Sequence, residues 1–177
     1  MTPRIETLRS FIRAEKHHEF RHTPEELGLD RLNEKFREEG ISPVTRSARM
    51  LKALLEAETP IIIEGESIVA TRTITRIPSI FTDEEWEDIR SKHTLHERGT
   101  VSNLSADYEG IIADGLGKRK ESIEARLTDE TLTAEQKEFL IAAKESIEAV
   151  QSFILKYQAC AKNAGLNDVA AVLGNIH

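Results

Sequence analysis

The feature that most constrains this chain is a run of apolar residues close to its C-terminal end. Leu140, Ala143, Ile147, Val150, Ile154, Tyr157 and Ala161 follow one another at alternating steps of three and four. That heptad-like spacing predicts one long helix, with Thr133 as its N-cap and Gln136 closing a capping box. Drawn out to Lys162 at about 1.5 Å per residue, the helix is a rod roughly 45 Å long. A rod with an apolar seam needs a surface to lie against. Either another helix of this chain supplies it, or a partner does.

The remaining segments predict more helices. Thr2 and Pro3 open a first amphipathic pattern, to about Lys16, with Ile5, Leu8, Phe11 and Ile12 on one face. "TPEE" at 23–26 repeats the start signal, with Thr23 as cap and Glu26 placed for a capping box; Leu29, Leu32 and Phe36 follow, and Gly40 is a stop. Ser42 and Pro43 open a third helix that turns Val44, Ala48, Leu51 and Leu55 inward. After Pro60 the period changes. Two β-branched runs, Ile61–Ile63 and Ile68–Thr73, flank Glu64-Gly65-Glu66 and predict a short β-hairpin or extended excursion over about residues 60–75. Thr82 and Glu85 then cap a helix fading near Leu95, and an irregular stretch leads to a helix from Asp107 to Leu127. Three glycines near that helix's start, Gly110, Gly115 and Gly117, predict a distorted first part or close approach by another backbone. The fold class is mainly α, bundle-like, in a single unit over residues 1–177.

Composition removes several functions. With 24 basic and 31 acidic residues the chain carries a formal charge of −7, which disfavours a phosphate backbone as partner. Its densest basic cluster, Lys118-Arg119-Lys120, is followed by Glu121 and Glu124 and reads as a solvated helix face. One cysteine, Cys160, excludes an intramolecular disulfide and points to a cytoplasmic protein. No apolar run approaches the ~20 residues of a membrane span.

Candidate chemistry is sparse. His18 and His22 are spaced to share a metal on one helix face but lack a third ligand, and His17 adds no geometry of its own. His93 and His96 read as a polar helix end. Cys160 has only Lys162 nearby, at the wrong end of a helix to lower a thiol pKa, so it reads as a half-buried structural residue. No phosphate loop, nucleophile elbow or isolated carboxylate pair stands out. The residues therefore predict no catalytic group, no metal and no cofactor bound by this chain.

The order of several segments resembles a known family. "ARMLKALLEAETPIIIEGESIVATRTITRIPSIFTDEEW" joins an amphipathic helix, an Ile-rich stretch, "GESIVATRT" and an acidic helix with a tryptophan. With "RIETLR" before it and "NLSADYEGIIADGLGKRKESIEARL" after it, this resembles the N-terminal region of glycyl radical enzymes of the pyruvate formate-lyase type (the formate acetyltransferase and glycerol dehydratase-like superfamily). The resemblance spans nearly the whole chain. It implies an anaerobic, cytoplasmic parent enzyme, a lyase, dehydratase, decarboxylase or acyltransferase, built on a ten-stranded barrel wrapped by helices. Such a parent carries a glycyl radical installed by a separate activating enzyme that uses S-adenosylmethionine and an iron–sulfur cluster.

This chain has neither the family's Gly-Cys motif, since Cys160 lies in "QACAKN", nor its Arg-Val-x-Gly-Tyr loop. The expectation is therefore the helical N-terminal portion without the barrel, inactive alone, as a truncated product or proteolytic piece. The family's Gly-His…Asp-Tyr segment corresponds here to Ser102, Asn103, Asp107 and Tyr108. Asn103 and Asp107 are the substrate-pocket candidates that the resemblance implies. Asn103 hydrogen-bonds but cannot shuttle a proton near neutral pH, which speaks against a simple diol dehydratase. Asp107 also suits a helix start and Tyr108 suits packing; Arg72 reads as a structural cation. Partners would be the rest of the parent barrel, or a helix on the Leu140–Ala161 seam, with a homo-oligomer or dye-binding patch expected from uncovered apolar surface. The alternative reading is a free-standing helical interaction module that uses that seam.

Overall fold

The computed structural model describes residues 2–66, 69, 71–92 and 107–176. Those residues form a mainly helical protein of seven α-helices: α1 (Pro3–Arg13), α2 (Leu32–Glu38), α3 (Pro43–Ala57), α4 (Asp83–Ser91), α5 (Tyr108–Leu127), α6 (Ala134–Asn163) and α7 (Asn167–Gly174). A 3₁₀ turn at Lys16–Phe20 follows α1.

The centre is α6. Thr133 and Gln136 close its capping box as expected, and it runs alongside α3 in the same direction. Ser42 and Thr45 at the start of α3 donate to Glu138, Lys52 pairs with Glu145 at 3.7 Å, and the end of α3 meets Lys156. The short link after Leu127 returns the chain antiparallel, so α5 lies along the first half of α6, with Glu124 and Lys144 paired at 2.7 Å. Beyond α6, α7 folds back on its second half, where Gln158 donates to the Ala170 carbonyl. Two apolar clusters result. One joins Leu55 to Ala149, Phe153, Tyr157, Ala161, Ala170 and Leu173; the other joins Leu29, Met50, Leu54 and Ile74.

The seam of α6 is real but is not the most deeply buried stripe. Ala142, Ala149, Phe153, Tyr157 and Ala161 are the buried residues of this helix, while Leu140, Ala143, Ile147, Val150 and Ile154 are half-buried. Small alanines let α3 approach closely, so the face that contacts α3 is marked by Ala142 and Ala149. Periodicity weighted towards large residues passes over them. In α3, Ala48 and Leu55 are buried as expected and Leu51 is half-buried, but Val44 is 42% exposed, and Met50 and Leu54 share the burial.

Three local expectations are corrected. The capping box at Thr23 forms, with Thr23 N–H donating to Glu26 at 2.8 Å and Glu26 N–H to the Thr23 hydroxyl at 3.3 Å, but it starts no helix. Gly28 takes φ +69°, Leu29 N–H closes onto the Pro24 carbonyl, and the chain reverses after one turn. That reversal delivers Leu29 into the second cluster; α2 begins only at Leu32. The first helix stops at Arg13 rather than Lys16, its Thr2 side chain making no cap bond, and Glu15 sits at φ 55° before the 3₁₀ turn. The excursion after Pro60 is extended, but no hairpin is seen. Among the described residues the one β pairing is an isolated parallel bridge between His22 and Ile74. Other contacts, described below, pin the excursion instead.

Two sequence signals hold in detail. Thr82 and Glu85 form their capping box at the start of α4. Gly115, at φ 71° and ψ 176°, breaks α5 into two stretches, a conformation open essentially only to glycine. No helix among the described residues is long and apolar enough to cross a membrane.

Candidate functional site

Two buried polar clusters and an open groove at Asp107 bear on the candidate chemistry of the described residues. The first cluster grows from the end of α3. Glu58, 2% exposed, accepts from Thr73 N–H at 2.7 Å, from the Thr73 hydroxyl and from Arg72 Nε. Burial opposes ionisation of this carboxyl, yet the Thr73 hydroxyl and N–H and the Arg72 guanidinium outweigh it and hold it below its usual range. Two neighbours on α6 complete the clamp. Lys156 Nζ donates to the carbonyls of Leu55, Glu56 and Glu58 at 3.2, 2.8 and 2.8 Å, closing the C-terminal end of α3 with a cation. Tyr157, 1% exposed, donates to Thr71 O at 2.8 Å and accepts from Ile61 N–H at 3.4 Å, joining both limbs of the excursion. Burial pushes its phenol up. Cys160 Sγ faces the Pro60 carbonyl at 3.7 Å, half-buried and without a base beside it.

The second cluster ties α4 to α3. Arg46, 3% exposed, grips Glu85 with two parallel bonds of 2.7 and 3.0 Å and donates to Asn33 at 3.2 Å. This fork geometry suits arginine and not lysine. The Arg46 bonds are the main reason the Glu85 carboxyl lies below its usual range.

Asp107, one of the two pocket candidates, stands at an open groove of about 550 Å³ between α5 and α6. Ile111, Leu116 and Ile123 line it from one side, Leu140 and Ile147 of the seam from the other. The Asp107 carboxylate is already engaged: it accepts from Gly110 N–H at 3.0 Å as N-cap of α5 and pairs with Arg119 at 2.7 Å. A carboxylate so held orients a helix and an arginine; it is not a free general base. Tyr108 is 72% exposed, so packing does not account for it within this chain. Asn103, Ser102, His93 and His96 lie outside the described residues.

The other sequence candidates separate in space. His17 and His18 rings touch at 4.1 Å, while His22 is bound into the bridge, its N–H donating to Thr73 O at 2.8 Å. Among the described residues no three His, Cys, Asp or Glu side chains cluster to hold a metal. Of the basic cluster, Lys118 pairs with Asp114 and Arg119 with Asp107, as a solvated helix face should. Arg72 is structural, bound to Glu58.

The Glu58 and Arg46 clusters escaped the reading from residue spacing. Their members come from separate segments, and Arg46 and Glu58 stand among other charged residues of the same stretch (Arg49, Lys52, Glu56), so local spacing does not single them out. Comparison of the chain with protein-family models, with curated proteins and with solved structures returned no match.

Proposed function

We propose that this chain is the N-terminal structural portion of a glycyl radical enzyme of the pyruvate formate-lyase type. In this reading the parent is a radical lyase, dehydratase, decarboxylase or acyltransferase. The helices here brace its barrel, and the segment before α5 contributes Asn103 to its substrate pocket. One observation carries most weight beside the ordered sequence resemblance. Helix α5, which begins at Tyr108 inside the family-like "NLSADYEG" segment, has no fully buried residue among its twenty. Tyr108, Ile111 and Ile112 are 72%, 43% and 83% exposed on it. A helix of that length with an uncovered apolar edge fits a wall that other protein completes. The chemistry belongs to the parent, since a thiyl cysteine and a glycyl loop are not in this sequence.

The test is to read the coding sequence beyond the codon for His177 and to express the whole frame without oxygen. A Gly-Cys motif, an Arg-Val-x-Gly-Tyr loop and a glycyl radical signal in electron paramagnetic resonance are expected after activation. A frame that closes without either motif sinks the enzymatic reading. The interaction-module reading would then take its place, because Leu140 and Ile147 of the seam line an open groove.

A further inference from the structure

Helix α5 carries an inference that goes beyond the parent's chemistry. Tyr108, Ile112, Leu116, Ile123 and Leu127 recur at steps of four, four, seven and four. In an unbroken helix that spacing sets all five on one face. The bend at Gly115 divides the face. Leu116 and Ile123 line the groove against Leu140 and Ile147. Ile112 and Tyr108, at 83% and 72%, are the two most exposed large apolar side chains among the described residues.

The bent form has its own ties. Asp107 pairs with Arg119 at 2.7 Å, the guanidinium lying against the bare backbone of Gly110. Lys118 pairs with Asp114, and Ile111, 43% exposed, lines the groove. A seat for another form exists on α6. Glu124 of α5 meets Lys144 there. About three turns beyond Lys144, on the same strip of α6, stands Leu155, 44% exposed. Because α5 runs antiparallel to α6, straightening it would carry residues 108–112 to about that level.

We propose that α5 has two forms. The bent one presents Tyr108 and Ile112 to a partner; in the straight one residue 115 turns helical and those two side chains fold down towards Leu155. Glycine at 115 permits both, since it adopts positive φ freely and still enters a helix at modest cost. Straightening breaks the Asp107–Arg119 pair, because residues twelve apart in a helix stand about 18 Å from each other. It also takes Ile111 from the groove. The Lys118–Asp114 pair survives as an ordinary i,i+4 contact. The exchange sets an exposed ion pair and one half-covered isoleucine against the covering of Ile112 and Tyr108.

Spin labels at Glu109→Cys and Glu130→Cys, in a Cys160→Ser background, read the bend by pulsed dipolar distance measurement. Two discrete populations are expected, the straight form lengthening the span by on the order of 15 Å. Gly115→Ala excludes the bend and should leave the long distance dominant. Ile112→Asn and Leu155→Asn should each lower the long population roughly threefold or more. Leu155 lies on α6, away from the bend, and matters only if α5 seats on it. Both replaced side chains are exposed in the bent form, so the fold tolerates the changes. A single short distance overturns the proposal, as does a continuous spread, the mark of simple fraying. A long population that Leu155→Asn leaves unchanged overturns it too. The distances are measured on this chain alone, so they stand or fall separately from the test of the coding frame.

Discussion

Helices α5 and α6 lie side by side, follow one another in sequence and are built from similar residues, yet they are held quite differently. In α6 five residues are buried, and Lys156 and Tyr157 reach from it to fix the end of α3 and both limbs of the excursion. In α5 no residue is fully buried, and the ties visible along it are exposed ion pairs such as Lys118–Asp114 and Arg119–Asp107. Exposed pairs of this kind contribute at most about 1 kcal/mol each. A helix is therefore made permanent less by its own propensity than by what its side chains close off elsewhere. Substitutions should divide along that line.

The largest loss is expected at the buried fork. Glu85→Ala deprives the Arg46 guanidinium, 3% exposed in the intact protein, of its carboxylate, which costs about 3 kcal/mol or more in urea unfolding followed by Trp86 fluorescence. A loss below about 1 kcal/mol would mean that water reaches Arg46 freely, and the contrast with α5 would fail.

Glu58→Gln comes next, at about 2–3 kcal/mol, because an amide cannot accept from Thr73 and Arg72 as a carboxylate does. This site also sets a pH dependence. The folded carboxyl lies below its unfolded range of about 4.3. Its contribution is therefore complete above that range and fades as pH falls through the lower, folded value. Glu85 acts in the same sense. Melting temperatures should hold from pH 7 to about pH 5 and drop below about pH 4, with the gap between wild type and Glu58→Gln closing as they do. A gap that persists at pH 3 would assign the effect to packing and not to charge.

Lys156→Met should cost about 1–2 kcal/mol, removing a cation from three carbonyls at the end of α3 while keeping an apolar stem over Leu55. The smallest effects belong to α5. Gly115→Ala forbids the present bend, but residues 108–114 can straighten into a continuous helix at little expense. Global stability should move by less than about 1 kcal/mol while far-ultraviolet circular dichroism gains slightly. A larger penalty would show that the bend itself is held in place.

Much of the helical plan was legible in the residues. The caps at Ser42, Thr82 and Thr133 and the limits of α3, α5 and α6 follow from local hydrogen-bonding chemistry, which acts over four residues and does not depend on the rest of the fold. Thr23 marks the limit of such reasoning. Its box is fully formed, yet Gly28 closes the turn at once because Leu29 is needed in the cluster with Met50, Leu54 and Ile74. Asp107 was legible as a helix start, and its pairing with Arg119, three turns on, required the bend at Gly115 to be known.

The sequence by itself determined a mainly helical chain: where most of its helices begin, that α6 is long, and that three glycines make the start of α5 unusual, though not which of them bends it. Each of these rests on interactions between residues a few positions apart. Tertiary structure alone decided that α3 runs parallel to α6, that Ala142 and Ala149 are the buried residues of the first half of α6, and that Glu58 and Arg46 each find partners from other segments. Those choices join residues up to about a hundred positions apart. No local pattern encodes them, because the gain from burying and pairing such groups exists only once both segments have met.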